Sequence, residues 1–364
     1  LLIIALGGPR GVAAKDLGGR FKQTRRLLRR PGIGLPSVVQ LLMRIVALAD
    51  LHYPQGGRQR LMTLAETCLQ AQAEVLILAG DLTTFMLPDF VRVLREFSYV
   101  APLRLCVAGN HDIWTSGGRR TLRRYRKTLP ELCERFGYRL LDAGPVRADR
   151  EGIGFVGGLG WYDYSLRQFE EPVRGVRVSP ARPSRRSSFS RVKVISGRED
   201  LAWSELREED FRGKALVWRE DDNLRSLVWN DALYVSWPVP DEQVVAWQVQ
   251  HLKRSAEELG DVERLVVVTH TVPFREAFSQ PYSRVSWAYC RAYMGSAALG
   301  EALVGDPRLA IWITGHVHYQ VEVECQGVKV VNVAAAPEQR DKSPTLIEVT
   351  DEGVTIQRLT GGKG

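Results

Sequence analysis

The sequence predicts an α/β protein with parallel strands covered by helices, and three observations predict it. Short apolar runs recur at 45–49, 75–79 and 103–107. Helix-spaced apolar stripes stand between them, at Leu61, Leu64, Ala65, Cys68 and Leu69 and then at Val91, Leu94 and Phe97, the second opened by Pro88. The connections are short, which gives the order β-α-β-α-β. A different texture follows at about 161–240, where six of the nine tryptophans lie between Trp161 and Trp247 and the Pro-, Ser- and Arg-rich stretch 179–188 reads as an exposed loop. This segment is expected to be an insertion. Asp241 then reads as the cap of a helix with a stripe at Val245, Val249, Leu252, Ala256 and Leu259, ended by Gly260. Two more apolar strands are expected at 265–268 and 309–313. Short β runs at 321–323, 328–333, 346–349 and 354–357 predict a closing antiparallel meander around Gly327 and the turn 351–353.

Composition bounds the function. In 364 residues, 45% are hydrophobic and 25% charged, which is enough apolar chain for a large core and excludes a disordered or fibrous protein. No run approaches the ~20 apolar residues of a membrane span. The opening apolar run 1–6 is too short for a signal-peptide core and has no basic segment before it. Five cysteines far apart, without a C-x-x-C pair, fit a reduced, cytoplasmic protein. The net charge of +8 is concentrated at one end: eight basic residues against Asp16 give residues 1–42 a net +7, leaving +1 for the rest. That stretch lacks a core-forming pattern, and Met43 reads as a natural start followed at once by a buried strand. The expectation is a basic extension over 1–42 outside a domain at 43–364, with a basic arm for RNA or anionic lipid as the alternative.

Five of the six histidines follow apolar strands directly, each beside Asp, Asn or Gly. The series is Asp50-x-His52, Gly80-Asp81, Gly109-Asn110-His111-Asp112, His270 and Gly315-His316-x-His318. In an open α/β sheet the loops at the carboxyl ends of the strands converge on one crevice. Carboxylate, amide and imidazole are also ligands that suit divalent first-row metals. Singly, each piece is an ordinary capped turn or a hydrogen-bonded histidine; five in this order are hard to produce by chance. The sixth, His251, falls mid-helix off the apolar stripe and reads as a solvated surface residue.

This series resembles the complete motif set of the calcineurin-like metallophosphoesterases, over about 43–333. The resemblance implies a four-layer α/β/β/α sandwich of two mixed sheets, with two divalent metal ions, manganese, iron or zinc, at the strand C-terminal ends. It implies one ion held by Asp50, His52 and His318, the other by Asn110, His270 and His316, and Asp81 as the bridge. His111 is the implied catalytic histidine, oriented by Asp112. A pair of dications can activate a water for in-line attack on phosphorus, so the implied activity is hydrolysis of a phosphomonoester or phosphodiester in a phosphorylated small molecule.

Departures from relatives narrow the substrate. After Gly80-Asp81 the run continues Leu-Thr-Thr-Phe-Met86, not the Asp-Arg-Gly extension of phosphoprotein phosphatases, which disfavours a protein substrate. A nuclease of the same superfamily is the alternative, although a domain of net +1 offers little basic path, and Arg182, Arg185, Arg186, Arg191 and Lys193 read as a solvated loop. A non-catalytic scaffold on this fold would lack ligands, and none is missing. Trp161, Tyr162 and Tyr164, after a glycine-rich run, either line a substrate pocket or pack the insertion.

Overall fold

The computed structural model describes residues 41–148, 152–167, 177–180, 210–211, 214–220, 223–278, 289–335 and 343–359. The chain divides into two compact units, 1–39 and 40–364. The first lies outside the described residues, as do Arg182, Arg185, Arg186, Arg191 and Lys193. The second opens with β1 (Leu41–Leu48), whose Leu41 pairs with Thr350, so this strand starts two residues ahead of the expected boundary.

Fifteen strands are described, in three sheets. The first sheet combines β1 with β2 (Val75–Ala79), β3 (Leu103–Val107), β4 (Arg139–Leu140), β14 (Thr345–Thr350) and β15 (Val354–Arg358), in the order β15-β14-β1-β2-β3-β4. The second combines β5 (Val146–Arg147), β6 (Ile153–Gly158), β10 (Arg264–Thr269), β11 (Leu309–Thr314), β12 (Val321–Cys325) and β13 (Val328–Asn332), in the order β12-β13-β11-β10-β6-β5. Both are mixed: β1, β2, β3 and β4 are parallel in one, with antiparallel β14 and β15 on one side, and β6, β10, β11 and β13 are parallel in the other, with antiparallel pairs at both edges. A separate three-stranded antiparallel sheet of β7 (Arg177–Pro180), β8 (Lys214–Glu220) and β9 (Asn223–Val228) forms part of the expected insertion, and its first strand takes up the start of the expected loop 179–188.

Three apolar cores explain why the strand runs are apolar without alternation. Ile45, Ala47, Ile77 and Val107 meet Phe155, Val266, Val268, Ile311 and Ile313 between the two large sheets. Their neighbours Val46, Leu48, Leu76, Leu78 and Cys106 face outward onto α1 (Gly57–Gln70) and α2 (Leu87–Glu96), through Leu64, Ala65, Phe90 and Val93. On the far side Val267, Trp312 and Val330 are covered by Leu252 and Ala256 of the long helix Asp241–Glu258 and by Leu299 of the short helix Ala297–Glu301. With period 2 in the strands, odd and even residues supply different cores, which makes the four layers helix, sheet, sheet, helix.

Four local expectations are corrected. Strand β6, between β10 and β5, carries Gly154, Gly157 and Gly158 and gave no strand signal; a Cβ at Gly157 would lie 2.2 Å from the Val268 carbonyl oxygen, so close packing there requires glycine. The tail is not one meander: β12 and β13 pair in the second sheet, and β14 and β15 in the first. Pro240, not Asp241, occupies the cap of the long helix, and the Asp241 carboxylate instead accepts from Trp161 Nε1 at 2.7 Å and from the Tyr164 hydroxyl. His251 is half-buried, with Nε2 shared between the carbonyls of Leu141 at 2.8 Å and Gly157 at 3.0 Å.

Candidate metal centre

The carboxyl ends of β1, β2, β3, β10 and β11 deliver the histidine and carboxylate motifs to one place. Asp50, His52, Asp81 and His318 form one group of potential metal ligands and Asp81, His270 and His316 a second; within each, ligand atoms lie within 4.8 Å of one another. Asn110 joins the second group, its Oδ1 3.1 Å from His270 Nε2. All seven residues expected as ligands are therefore brought together, and Asp81 is common to both groups.

The backbone accepts strain to do this. Nine non-glycine residues among those described have positive φ, and five are in the cluster: Asp50, His52, Asp81, His316 and His318. Left-handed backbone costs about 1 kcal/mol or more per residue, least for Asp and His, and persists where packing and hydrogen bonds override it. Here the His316 amide donates to Asp50 Oδ1 at 2.9 Å and the His52 amide to the Asp81 carbonyl at 2.9 Å. Two glycines are sterically required. A Cβ at Gly109 would sit 2.1 Å from Asp81 N and Oδ1, and at Gly80, where φ is +88°, 2.5 Å from the His270 ring.

Carbonyl oxygens set the tautomers. His270 Nδ1–H donates to the Ala79 carbonyl at 2.9 Å, leaving Nε2 to face Asp81 Oδ2 at 3.4 Å. His316 Nε2–H donates to the Tyr293 carbonyl at 3.1 Å, leaving Nδ1 for the cluster. His52 Nε2 and His318 Nε2 face each other at 2.9 Å. Asp81 Oδ1 accepts the His111 amide at 2.9 Å, whereas Oδ2, fully buried, has no hydrogen-bond partner among the described residues. Instead Nε2 atoms of His270, His52 and His111 surround it at 3.4, 3.6 and 3.9 Å. A buried carboxylate oxygen with no hydrogen bond of normal length, faced by three imidazole nitrogens, is what a divalent cation site needs. The residues fit a dinuclear centre.

Electrostatics agree. Burial pushes the Asp81 carboxyl up, but His270, His111 and His52 more than offset it and hold it well below the usual range. Burial disfavours charge on His270, yet Asp81 and then Asp50 outweigh it, and its pKa is pushed up to about 10. Burial, with His270 nearby, pushes His316 down to about 3. A cation can take only the neutral imidazole, so below pH about 10 metal uptake must expel the His270 proton, and affinity should fall about tenfold per pH unit on acidification from this group alone. Calorimetry at pH 8 in two buffers of different ionisation enthalpy is expected to show about one proton released per chain on saturation; none released would show that His270 is already neutral in the metal-free centre.

The remaining expectations fare differently. His111 lies beside the cluster with its side chain 20% exposed, its Nδ1 3.2 Å from the Thr84 carbonyl and its ring stacked on Trp114 at 3.7 Å. Asp112 does not orient it. That carboxylate is fully buried and accepts the amides of Leu82, Thr83 and Gly109 at 3.3, 3.0 and 2.9 Å, tying two motif loops together; burial and then Asp81 push its pKa up to about 7. Trp161, Tyr162 and Tyr164 are only 1%, 4% and 1% exposed, because their polar ends are held by Asp241 and Asp231 and their faces pack on one another and Tyr293. They line a cavity of about 220 Å³, as a wall and not as an exposed stacking platform. Sequence reasoning missed Trp114, Tyr293 and Asp231. The first two act through ring stacking and a carbonyl oxygen, for which a sequence carries no signal.

Comparison with known proteins points the same way. The calcineurin-like phosphoesterase family profile matches residues 43–320. Among solved structures, the phosphopantetheinyl hydrolase of Mycobacterium tuberculosis is similar over 83% of this chain and 92% of its own, at 16% identity and a TM-score of 0.56. A dimetal phosphatase from Danio rerio is similar over 88% of this chain and 97% of its own, at 12% identity and a TM-score of 0.49. At 16% identity the first likeness is one of fold. No curated protein sequence matches the chain.

Proposed function

This chain belongs to the calcineurin-like phosphoesterase family and is a metal-dependent phosphoesterase, and from that premise we propose that it uses two divalent ions to hydrolyse phosphomonoesters or phosphodiesters of small or medium size. The observation that carries the reading is Asp81, whose buried Oδ2 has three imidazole nitrogens at 3.4 to 3.9 Å and no hydrogen bond of normal length among the described residues. In this reading Asp50, His52 and His318 hold one ion, Asn110, His270 and His316 the other, and Asp81 both. The donor set suits manganese, iron or zinc. Bound there, the ions would supply Lewis acidity, activating a water and offsetting charge on the phosphoryl oxygens.

The chain's own residues do the rest. Only Asp50 and Asp81 bring negative charge to the two groups, so a loaded site stays electropositive and attracts a phosphate ester. His318, at 37% side-chain exposure, and His111 mark the open side from which an ester can approach. His111, with Nδ1–H on the Thr84 carbonyl, is placed to donate a proton from Nε2 to the departing oxygen.

The test is a substrate panel with metal-reconstituted protein: p-nitrophenyl phosphate, bis-p-nitrophenyl phosphate, mononucleotides and a phosphopantetheinyl ester, the last suggested by the name of the M. tuberculosis hydrolase. Turnover of at least one ester, abolished by chelation and restored by metal, is expected. A protein that binds two ions and cleaves none would be a scaffold. One observation favours a nuclease as second reading: Arg119, Arg120, Arg123, Arg126 and Lys127 are exposed just after the His111 loop, with no acidic residue between 113 and 130. Cleavage of single-stranded oligonucleotides that weakens steeply with salt would select it.

A further inference from the structure

Asp231 lies 121 residues from Asn110 in the chain, in the segment expected to be an insertion, and none of the metal motifs includes it. It is 2% exposed, and its two oxygens take four donors. Oδ1 accepts from Asn110 Nδ2 at 3.0 Å and from Trp114 Nε1; Oδ2 accepts from Trp229 Nε1 at 2.7 Å and the Tyr162 hydroxyl at 3.3 Å. A buried carboxylate that fills its lone pairs with donors from four separate side chains is a fixed point around which those side chains are set.

Three of its four partners back onto the candidate centre. An amide has a donor end and an acceptor end, so a carboxylate on Nδ2 leaves Oδ1 of Asn110 turned to His270 Nε2. Trp229 stacks on Tyr293 at 5.0 Å and 11°, and the Tyr293 carbonyl accepts His316 Nε2–H. Trp114 stacks on His111. Thus one carboxylate stands behind two residues of the second ligand group, directly for Asn110 and through Trp229 and Tyr293 for His316, and behind the platform of the proton donor.

We propose that Asp231 is the positioning residue of the second metal site: it fixes the Asn110 amide with its oxygen inward, so that the insertion, and not the sandwich alone, completes the dinuclear centre. The inference rests on the two-metal reading above. Losing a group that orients a ligand typically weakens metal binding about 10- to 100-fold.

The test is a Mn(II) titration of metal-stripped full-length chain, followed by calorimetry and by the spin-coupled EPR signal of a manganese pair. Wild-type protein is expected to bind two ions. Asp231→Asn should bind the first ion as wild type, which also reports that the variant folds, and the second about 10- to 100-fold more weakly, with the coupled signal lost at equal loading. Pairing Asp231→Asn with Asn110→Asp reverses donor and acceptor and should bind the second ion more tightly than Asn110→Asp alone, where two carboxylates face each other, an outcome that a merely structural role for Asp231 would not produce. Second-site affinity within threefold of wild type in Asp231→Asn overturns the inference and leaves the two-metal reading standing. Fewer than two ions on wild type overturns that reading instead. If Asp231→Asn alone does not fold, the paired variant decides: two ions support the proposal and one ion sinks it.

Discussion

Asp81→Asn is expected to abolish metal binding and turnover together. Asparagine tolerates left-handed backbone, so the φ of 53° at this position is no obstacle, and its carbonyl can still accept the His111 amide. What is lost is the charge at Oδ2, the atom common to both ligand groups and the one that offsets three surrounding imidazoles. Both ions should bind more than about 100-fold more weakly, beyond what loss of a group behind a ligand costs, and turnover should fall with them. A second signature comes from the metal-free protein. Asp81 is the largest influence raising the His270 pKa to about 10, so in the metal-free variant this imidazole should lose its proton at a clearly lower pH than in wild type. Metal analysis after desalting, with an NMR titration of His270 in the metal-free protein, checks both; a variant that retains two ions would refute the shared role of Asp81.

His111→Ala is expected to separate chemistry from metal binding. Its Nε2 stands 3.9 Å from Asp81 Oδ2, outside both ligand groups, and its other nitrogen is engaged by the Thr84 carbonyl. Both ions should remain, while kcat on alkyl esters falls by about 10²–10⁴. Nitrophenyl esters, whose leaving groups need no proton, should lose far less. Equal losses across a leaving-group series would remove His111 from the proton-donor role, and loss of metal would move it among the ligands.

The legibility of this centre in the sequence has a physical basis. Metal chemistry admits few residue types, and parallel strands deliver their carboxyl ends to one edge, so Asp50, His52, Asp81, Asn110, His270, His316 and His318 could be read as one constellation from order and strand position. Strands buried on both faces likewise announced themselves as apolar runs. Strand β6 did not, because its close packing against β10 demands glycine, a residue with little strand signal. The Asp112 pairing failed for another reason: any residue supplies a carbonyl, so the anchor of His111 at Thr84 leaves no mark in the sequence. Asp231 is one aspartate among many until the fold brings it to Asn110. By itself, the sequence determined which side chains can meet a metal and at which strand ends they stand. Only the tertiary structure decided which nitrogen of each ring faces inward and which distant carboxylate turns the Asn110 amide, because those choices are made by hydrogen bonds between segments that share no local pattern.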